Sequence, residues 1–136
     1  MKLIPQISLM FDGRCEEALR FYERALNGSV TYMLKYGDSR MAGYAPAEWS
    51  GKVAHATLKI GDIAMSGADV LPGQFAQPQG FSIILQMDDP QAADRVFTAL
   101  SENAMRVDMP LQETFWARRF GTCVDQFGVP WSINCE

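Results

Sequence analysis

The fold is decided near the end of the chain by FWARRFG at residues 115–121 and DQFGVPW at residues 125–131. Both stretches are aromatic and continue into residues that favour strands. The Asp-x-Phe-Gly segment that starts at Asp125 has the composition of a tight turn, because Asp and Gly are common at turn positions. The sequence therefore predicts a C-terminal β-hairpin, with strands over residues 117–124 and 129–135.

Upstream of this hairpin the chain follows the same plan twice. The first half predicts a helix between the N-cap Asp12 and Asn27-Gly28, and strands over residues 4–11, 29–36, 52–60 and 62–67. The predicted helix has an apolar stripe that consists of Ala18, Leu19, Phe21, Tyr22, Ala25 and Leu26. The second half predicts a helix that begins at Asp89-Pro90, and strands over residues 81–87, 106–111, 117–124 and 129–135. This β-α-β-β-β order indicates an α+β fold with two modules, each a four-stranded sheet backed by one helix.

Two irregular stretches separate these elements. We expect a single domain over residues 1–136, with module 1 over about residues 3–70, a Pro-, Gly- and Gln-rich connector over residues 71–79, and module 2 over about residues 80–136. The other stretch, residues 37–51, is long for a hairpin connection and carries Tyr44 and Trp49. These aromatic side chains either close over a ligand or pack locally, and the sequence leaves both interpretations open.

Composition excludes several classes of protein. A net charge of -4 disfavours nucleic acid as a partner, because phosphate binding depends on clustered Lys and Arg. No apolar run approaches the roughly 20 residues of a membrane span, and the N-terminus lacks the architecture of a signal peptide. Three cysteines without CxxC spacing indicate reduced thiols in a cytoplasmic protein.

Alternation along the strands divides each sheet into an apolar row under the helix and a mixed row on the other face. The mixed rows are Gln6/Ser8/Met10, Val53/His55/Thr57, Ser82/Ile84/Gln86 and Ser132/Asn134. A sheet with one solvated face explains their polar members without any function. Their apolar members instead favour a concave pocket with a few polar anchors. We therefore predict a ligand cleft lined by Gln6, Ser8, Met10, Thr57, Ser82, Ser132 and Asn134.

His55 is the only histidine of the chain, and the alternation points it into this cleft. As a neutral imidazole among Ser, Thr and Gln it could act as a general base near neutral pH, so it is the candidate catalytic residue. The alternative is a hydrogen-bonded core histidine. Arg118 and Arg119 must face opposite ways on a strand; one could meet an anionic ligand, or form a salt bridge with an acid such as Asp125.

Three segments make the whole chain resemble the PhnB-like branch of the vicinal-oxygen-chelate (glyoxalase/bleomycin resistance/dioxygenase) superfamily. They are FDG at residues 11–13 with AL-x-FY at residues 18–22, VAHA-x-L-x-IGD at residues 53–62, and the C-terminal hairpin. The resemblance implies paired βαβββ modules with curved mixed sheets. It also implies a homodimer whose clefts are shaped by both modules.

In metal-using relatives, the ligands lie at strand positions that correspond to Gln6, His55, Ser82 and Ser132. Imidazole and carboxylate groups are good ligands for catalytic metals, whereas serine hydroxyls are poor ones. Only His55 is a strong ligand here, with Gln6 as a weak one and Glu136 within reach from the chain end. We therefore expect no tightly held cofactor, and a divalent metal on His55, Gln6 and Glu136 is the alternative.

The leading functional interpretation is a PhnB-like protein of unassigned activity that binds a small organic molecule in the inter-module cleft. One alternative is a divalent-metal-dependent enzyme of the lyase, isomerase or dioxygenase type that uses His55. The other is a non-catalytic dimer that sequesters a drug or metabolite. Sequences of this branch are often described as demethylubiquinone methyltransferases, but a methyltransferase of the usual kind needs a glycine-rich loop in a parallel sheet. The segment after the first strand offers only Gly13, and the sheet is predicted to be antiparallel.

Overall fold

The computed structural model describes all 136 residues and contains two compact units, Met1–Phe75 and Ala76–Glu136. Unit 1 consists of β1 (Ser8–Phe11), α1 (Cys15–Leu26), β2 (Ser29–Lys35), β3 (Val53–Ile60) and β4 (Ile63–Asp69), with short 3-10 turns at Tyr36–Asp38 and Ala47–Trp49. Unit 2 consists of β5 (Ile83–Met87), α2 (Pro90–Leu100), β6 (Arg106–Gln112), β7 (Arg119–Val124) and β8 (Pro130–Cys135). The predicted β-α-β-β-β order is confirmed in both units.

Each unit contains one mixed four-stranded sheet, in the order β1-β4-β3-β2 or β5-β8-β7-β6. The β1–β4 and β5–β8 pairs are parallel, and the other pairs are antiparallel. The mixed sheets that the resemblance implies are therefore confirmed, whereas the antiparallel sheet predicted from the residues is wrong for one pair of each sheet, because the first strand of each unit pairs in parallel with the last one. The first strand is also shorter than predicted: pairing with β4 begins at Ser8, and residues 1–7 are exposed.

The core of each unit lies between the sheet and its helix. Four members of the predicted α1 stripe, Ala18, Leu19, Phe21 and Tyr22, are buried, and α2 buries Ala93, Phe97 and Leu100. In unit 2 the buried residues of α2 face a row on β8 that consists of Trp131, Ile133 and Cys135, each no more than 1% exposed. Burying such side chains stabilises a unit by about 1.5–3 kcal/mol for each large one.

The start of α1 differs from the prediction. Asp12 is exposed, and the N-cap residue is Arg14, which makes no side-chain cap hydrogen bond. Asp69, at the end of β4, supplies the missing acceptor: its Oδ1 accepts from the N–H groups of Gly13 and Cys15, both at 2.9 Å. The second oxygen, Oδ2, accepts from the N–H of Val53 at 2.9 Å. One carboxylate, 1% exposed, thus joins the helix start to the start of β3.

A β-bulge in the β2–β3 pair changes the face on which Val53 lies. Leu34 is opposite His55, but the next residue, Lys35, is opposite Val53, so Ala54 is left without a partner. Lys35 reaches Glu16 of α1, and Val53 is 0% exposed. Val53 therefore belongs to the row under the helix, and its assignment to the mixed row is wrong.

Candidate ligand-binding faces of the two sheets

We call the sheet face that points away from α1 the open face of unit 1. Leu9 and Phe11 of β1 are buried under the helix, so Ser8 and Met10 lie on the open face, where both are exposed. Their row continues on β3 with Thr57, which is paired with Ser66 of β4. Gln6 is exposed but precedes β1, so no strand register fixes its direction.

His55 lies on this open face with an exposed side chain. Its imidazole is 5.8 Å from the ring of Tyr32, measured between centroids, and Tyr32 is opposite Thr57 on the neighbouring strand. The interpretation of His55 as a buried core histidine is therefore wrong. An exposed imidazole beside a phenol can contact a ligand, and the role of His55 as general base stays a prediction.

The open face of unit 2 is more polar and more enclosed. Ser132 and Asn134 of the central strand β8 are 5% and 7% exposed. They pair across to the first strand: the Oγ atoms of Ser132 and Ser82 are 3.0 Å apart, and Asn134 Nδ2 donates to Gln86 Oε1 at 2.8 Å. The predicted alternation of Ser82, Gln86, Ser132 and Asn134 is thus confirmed as one polar row.

Asn134 carries an unsatisfied polar atom on this face. Its Oδ1 is buried and has no hydrogen-bond partner. A buried carbonyl oxygen without a donor costs about 1–3 kcal/mol, and such groups are rare in native proteins. Asn134 Oδ1 is therefore a buried acceptor that no donor of the chain satisfies.

Three aromatic rings that sequence reasoning did not assign to a site form a series that begins next to Asn134. Phe120 of β7 is opposite Asn134 in the strand register, so their side chains share the open face. The Trp116 ring is 5.2 Å from the Phe120 ring, and the Phe115 ring is 4.7 Å from that of Trp116. Phe115 is 96% and Trp116 45% exposed. Alternation through FWARRFG could have placed Phe120 on this face, but not the loop residues Phe115 and Trp116.

We tested whether the predicted metal positions fit a metal. No group of three or more His, Cys, Asp or Glu side chains comes close enough to hold an ion. Ser82 and Ser132 bond to each other, and the exposed Glu136 lies at the chain end, where its backbone oxygen accepts from Arg118 Nε at 2.8 Å. Within each unit, the side chains at the predicted metal positions do not form a site for a tightly held divalent metal.

Several other charged and sulfur-bearing residues have structural roles. Arg119 pairs with Asp94 of α2 at 2.9 Å, and Asp125 is fully buried. Asp125 accepts from the N–H groups of residues 127 and 129 and from Trp131 Nε1, so it closes the hairpin turn and is not the predicted salt-bridge partner. Cys15 is 0% exposed, and burial, with Asp69 and Glu16 nearby, raises the pKa of its thiol far above the ordinary value.

The two aromatic residues in the stretch at residues 37–51 have different environments. Trp49 Nε1 donates to the backbone oxygen of Val70 at 3.1 Å, and the Lys52 ammonium lies 5.8 Å from the Trp49 ring centroid. Local packing is therefore confirmed for Trp49. Tyr44 is 79% exposed, so the alternative of a contact with a ligand stays open for this residue alone.

The two βαβββ units, with mixed sheets and one helix each, confirm the fold class predicted from the resemblance. The chain belongs to the family described as 3-demethylubiquinone-9 3-methyltransferase, whose model matches residues 2–134, and this match supports the PhnB-like assignment. It is similar to protein YjdN of Escherichia coli (strain K12), with 34% identity across 98% of this chain and 95% of YjdN.

Two solved structures show the same fold. Protein PA1353 from Pseudomonas aeruginosa is 40% identical, with a TM-score of 0.89 and coverage of 99% of this chain and 98% of that one. The PhnB protein from Bacillus cereus is 23% identical, with a TM-score of 0.83 and coverage of 98% and 100%. At that identity the second likeness concerns the fold alone.

The family description does not assign methyl transfer to this chain. Each sheet has one parallel and two antiparallel strand pairs, whereas the usual methyltransferase places a glycine-rich loop in a doubly wound parallel sheet. The segment between β1 and α1 contains one glycine, Gly13, whose N–H donates to the Asp69 carboxylate.

Neither helix has the length and apolar character of a membrane span.

Proposed function

We propose that this chain is a cytoplasmic, homodimeric protein that binds a small organic molecule on the open faces of its sheets. Its candidate contact residues are those predicted from the alternation, with His55 as the titratable group. Catalysis is a separate question, which the experiments below address. The negative net charge, -4, supports a small molecule over nucleic acid as the partner.

The two buried members of the polar row on the open face of unit 2, Ser132 and Asn134, carry this proposal. A solvated sheet face would expose its polar side chains and hydrate them, yet Ser132 and Asn134 are more than nine-tenths buried and Asn134 Oδ1 has no partner. Pockets that bind small molecules combine apolar walls with a few placed polar groups. Gln86, the partner of Asn134, also lines a cavity of about 470 Å³ with Met87, Asp88 and Glu136.

Binding can be tested by screening a fragment library by ligand-observed NMR and mapping the hits by amide chemical shifts. We expect hits to perturb the amides around Asn134 and His55. Hits that map only to the helix-covered side, or no hits at all, would contradict the proposal. His55→Ala and the surface variant Arg24→Ala separate a specific contact from a general effect, because both remove an exposed side chain from unit 1 and Arg24 lies on α1, outside the open face.

The homodimer rests on exposed apolar side chains. Leu3 and Ile4 before β1 are 72% and 65% exposed, and Ile84 on the open face of unit 2 is 55% exposed. Exposed apolar patches mark interaction surfaces in soluble proteins. Light scattering coupled to size exclusion should give about twice the 15.2 kDa of one chain, and a monomer at micromolar concentration would contradict the assembly but not the ligand site.

Turnover distinguishes an enzyme from a sequestering dimer. Each ligand from the screen is incubated with the protein, with and without added Mn²⁺ or Zn²⁺, and followed by mass spectrometry. Product that disappears in His55→Ala supports catalysis at this residue, whereas binding without product in every condition supports sequestration. The residues present give the metal-dependent enzyme no support beyond His55 itself.

A further inference from the structure

A cavity of about 340 Å³ lies on the open face of unit 2, at the end of the sheet away from Asn134. The strand register gives its floor: Arg106 of β6 is opposite Val124 of β7, and Val124 is opposite Pro130 of β8. These three residues form one row across the sheet, on the same face as Ser132, because alternate residues of a strand share a face. The volume is within the range of cavities that hold small organic molecules.

The walls of this cavity come from the connector before β5 and from the residue before β6. Residues 77–81 form one side, where the Phe81 ring is 48% exposed, and Met105, 58% exposed, lines another part. Gln77 fixes the connector, because its Nε2 donates to the backbone oxygen of Gly128 at 2.8 Å. Gly128 leaves room for this contact, since a Cβ at its position would lie 2.6 Å from Gln77 Nε2. The cavity is therefore formed by the folded unit itself, with two exposed apolar side chains in its lining.

Arg106 is the one charged residue of this lining. Its Nε donates to Asp108 Oδ1 at 2.8 Å, and this is the one hydrogen bond of the guanidinium group. A guanidinium group carries five N–H donors in a plane, so its two terminal nitrogens keep four donors without a protein acceptor. Arg118 and Arg119, the arginines that the sequence suggested for an anionic ligand, each donate two hydrogen bonds to protein oxygens instead.

The charge and the apolar walls together define a class of ligand. A single cation matches a ligand with a single negative charge, and a planar carboxylate fits the donors of a guanidinium group better than a tetrahedral or spherical anion does. The exposed Phe81 ring favours an aromatic body, because two rings attract each other beyond the burial of apolar area.

We propose that this cavity binds a small aromatic carboxylate, whose carboxylate group pairs with Arg106 and whose ring packs against Phe81 and Val124. The ligand class rests on the proposed function, because the cavity lies on the same open face. The two contacts have separable consequences. Arg106 determines the preference for a negative charge, whereas Phe81 determines the affinity for the ring.

Three probes separate the charge from the ring: phenylacetate, phenylacetamide, which is neutral and has nearly the same shape, and acetate, which lacks the ring. Dissociation constants are measured on the full chain by titration of amide chemical shifts, with Phe81, Met105 and Arg106 as reporters. We expect phenylacetate to bind about 2- to 5-fold more tightly than phenylacetamide, because the side chain of Arg106 is 65% exposed and its ion pairs are screened by solvent.

The preference for phenylacetate should shrink at high ionic strength, and acetate should bind more weakly than phenylacetate. Equal binding of phenylacetate and phenylacetamide would overturn the pairing with Arg106. Acetate that binds as tightly as phenylacetate would overturn the contact with the ring.

Two variants test the residues. Arg106→Gln should bring the affinities of phenylacetate and phenylacetamide to about the same value, because the charge that distinguishes them is gone. Phe81→Ala should weaken both ring-bearing probes about 2- to 12-fold and keep their order, as the loss of one aromatic contact predicts. Arg95→Gln is the control, because it removes one positive charge from an exposed residue of α2 outside the cavity. A loss of the preference in Arg95→Gln equal to that in Arg106→Gln would refute the site.

Failure of this inference is distinguishable from failure of the proposed function. If other fragments perturb amides of the open faces while phenylacetate leaves the amides of the cavity unchanged, the ligand class is wrong and the binding function stands. If no fragment binds to the open faces, both proposals are wrong. The comparison of the three probes on the wild type needs no variant, so an unstable Phe81→Ala or Arg106→Gln chain leaves the test intact.

Discussion

The hydrogen bonds of the Asp69 carboxylate provide the most direct test of what stabilises unit 1. It is 1% exposed and accepts three backbone N–H groups, from Gly13, Cys15 and Val53, all at 2.9 Å. Asp69→Asn keeps one oxygen to accept from the N–H groups of Gly13 and Cys15 at the start of α1. It turns an amide NH₂ towards the N–H of Val53, so that two donors face each other. Asp69→Ala removes both oxygens and leaves all three donors inside the unit.

The magnitudes follow from these contacts. At about 1–3 kcal/mol for a buried donor without a partner, Asp69→Asn should lower the free energy of unfolding by about 1–3 kcal/mol and Asp69→Ala by at least about 3 kcal/mol. The control is Asp12→Asn. The sequence suggests Asp12 as the helix cap, but its side chain is exposed, so the change should stay within about 0.5 kcal/mol.

Urea unfolding followed by circular dichroism measures these differences, and amide hydrogen exchange gives a local check. Exchange at Gly13, Cys15 and Val53 should accelerate in Asp69→Asn, whereas exchange in unit 2 should follow the change in global stability only. The reasoning is refuted if Asp12→Asn destabilises as much as Asp69→Asn. It is also refuted if Asp69→Ala costs less than about 1 kcal/mol, since three orphaned donors cannot cost so little.

Three further perturbations have expected outcomes. Gly121→Ala places a Cβ 2.9 Å from the Phe97 ring and should cost about 1–3 kcal/mol in urea unfolding, whereas Gly51→Ala, with no atom within 4 Å, should cost less than about 1 kcal/mol. The hydrogen bond from the backbone N–H of Val30, together with Arg20, holds the pKa of Glu23 below its ordinary value of 4.5. The stabilisation by the Glu23 carboxylate is therefore present above pH 4.5 and is lost as the pH falls through the lower pKa of the folded state. The stability difference between wild type and Glu23→Gln should therefore shrink from pH 7 to pH 3.5, and a constant difference would contradict this. Asn134→Leu combined with Gln86→Leu should raise the free energy of unfolding by about 1–3 kcal/mol, because it removes the unsatisfied oxygen and both partners of the Asn134–Gln86 hydrogen bond together; a decrease would mean that the oxygen has a partner in solution.

Much of the fold follows from short-range pattern. The apolar stripe of α1 and the Asp89-Pro90 start of α2 depend on neighbours within a few positions, and both are as predicted: Asp89 Oδ1 accepts from the N–H of Gln91 at 3.0 Å. The polar row through Ser132 and Asn134 likewise follows from period-two alternation, because no bulge interrupts β8.

The errors arise where a long-range contact or an irregularity decides the outcome. Asp69 caps a helix 54 residues earlier in the chain, and no local pattern distinguishes it from Asp12. The bulge at Ala54 moves Val53 to the other face, which alternation cannot anticipate. Arg119 reaches Asp94 across the packing of α2 on the sheet, so its partner depends on tertiary geometry.

Two of the buried polar residues of unit 2, Asp125 and Asn134, show why a buried polar atom without a partner indicates function better than burial alone does. Asp125 is also fully buried, but it accepts from two backbone N–H groups and from Trp131 Nε1, so folding itself explains its presence. Asn134 satisfies one of its polar atoms through Gln86 and leaves the other without a donor, at a position where leucine would pack without that cost. The fold therefore accounts for every polar contact of Asp125 described above and leaves one polar atom of Asn134 unaccounted for. The physical case for a ligand on this face rests on that difference between the two residues.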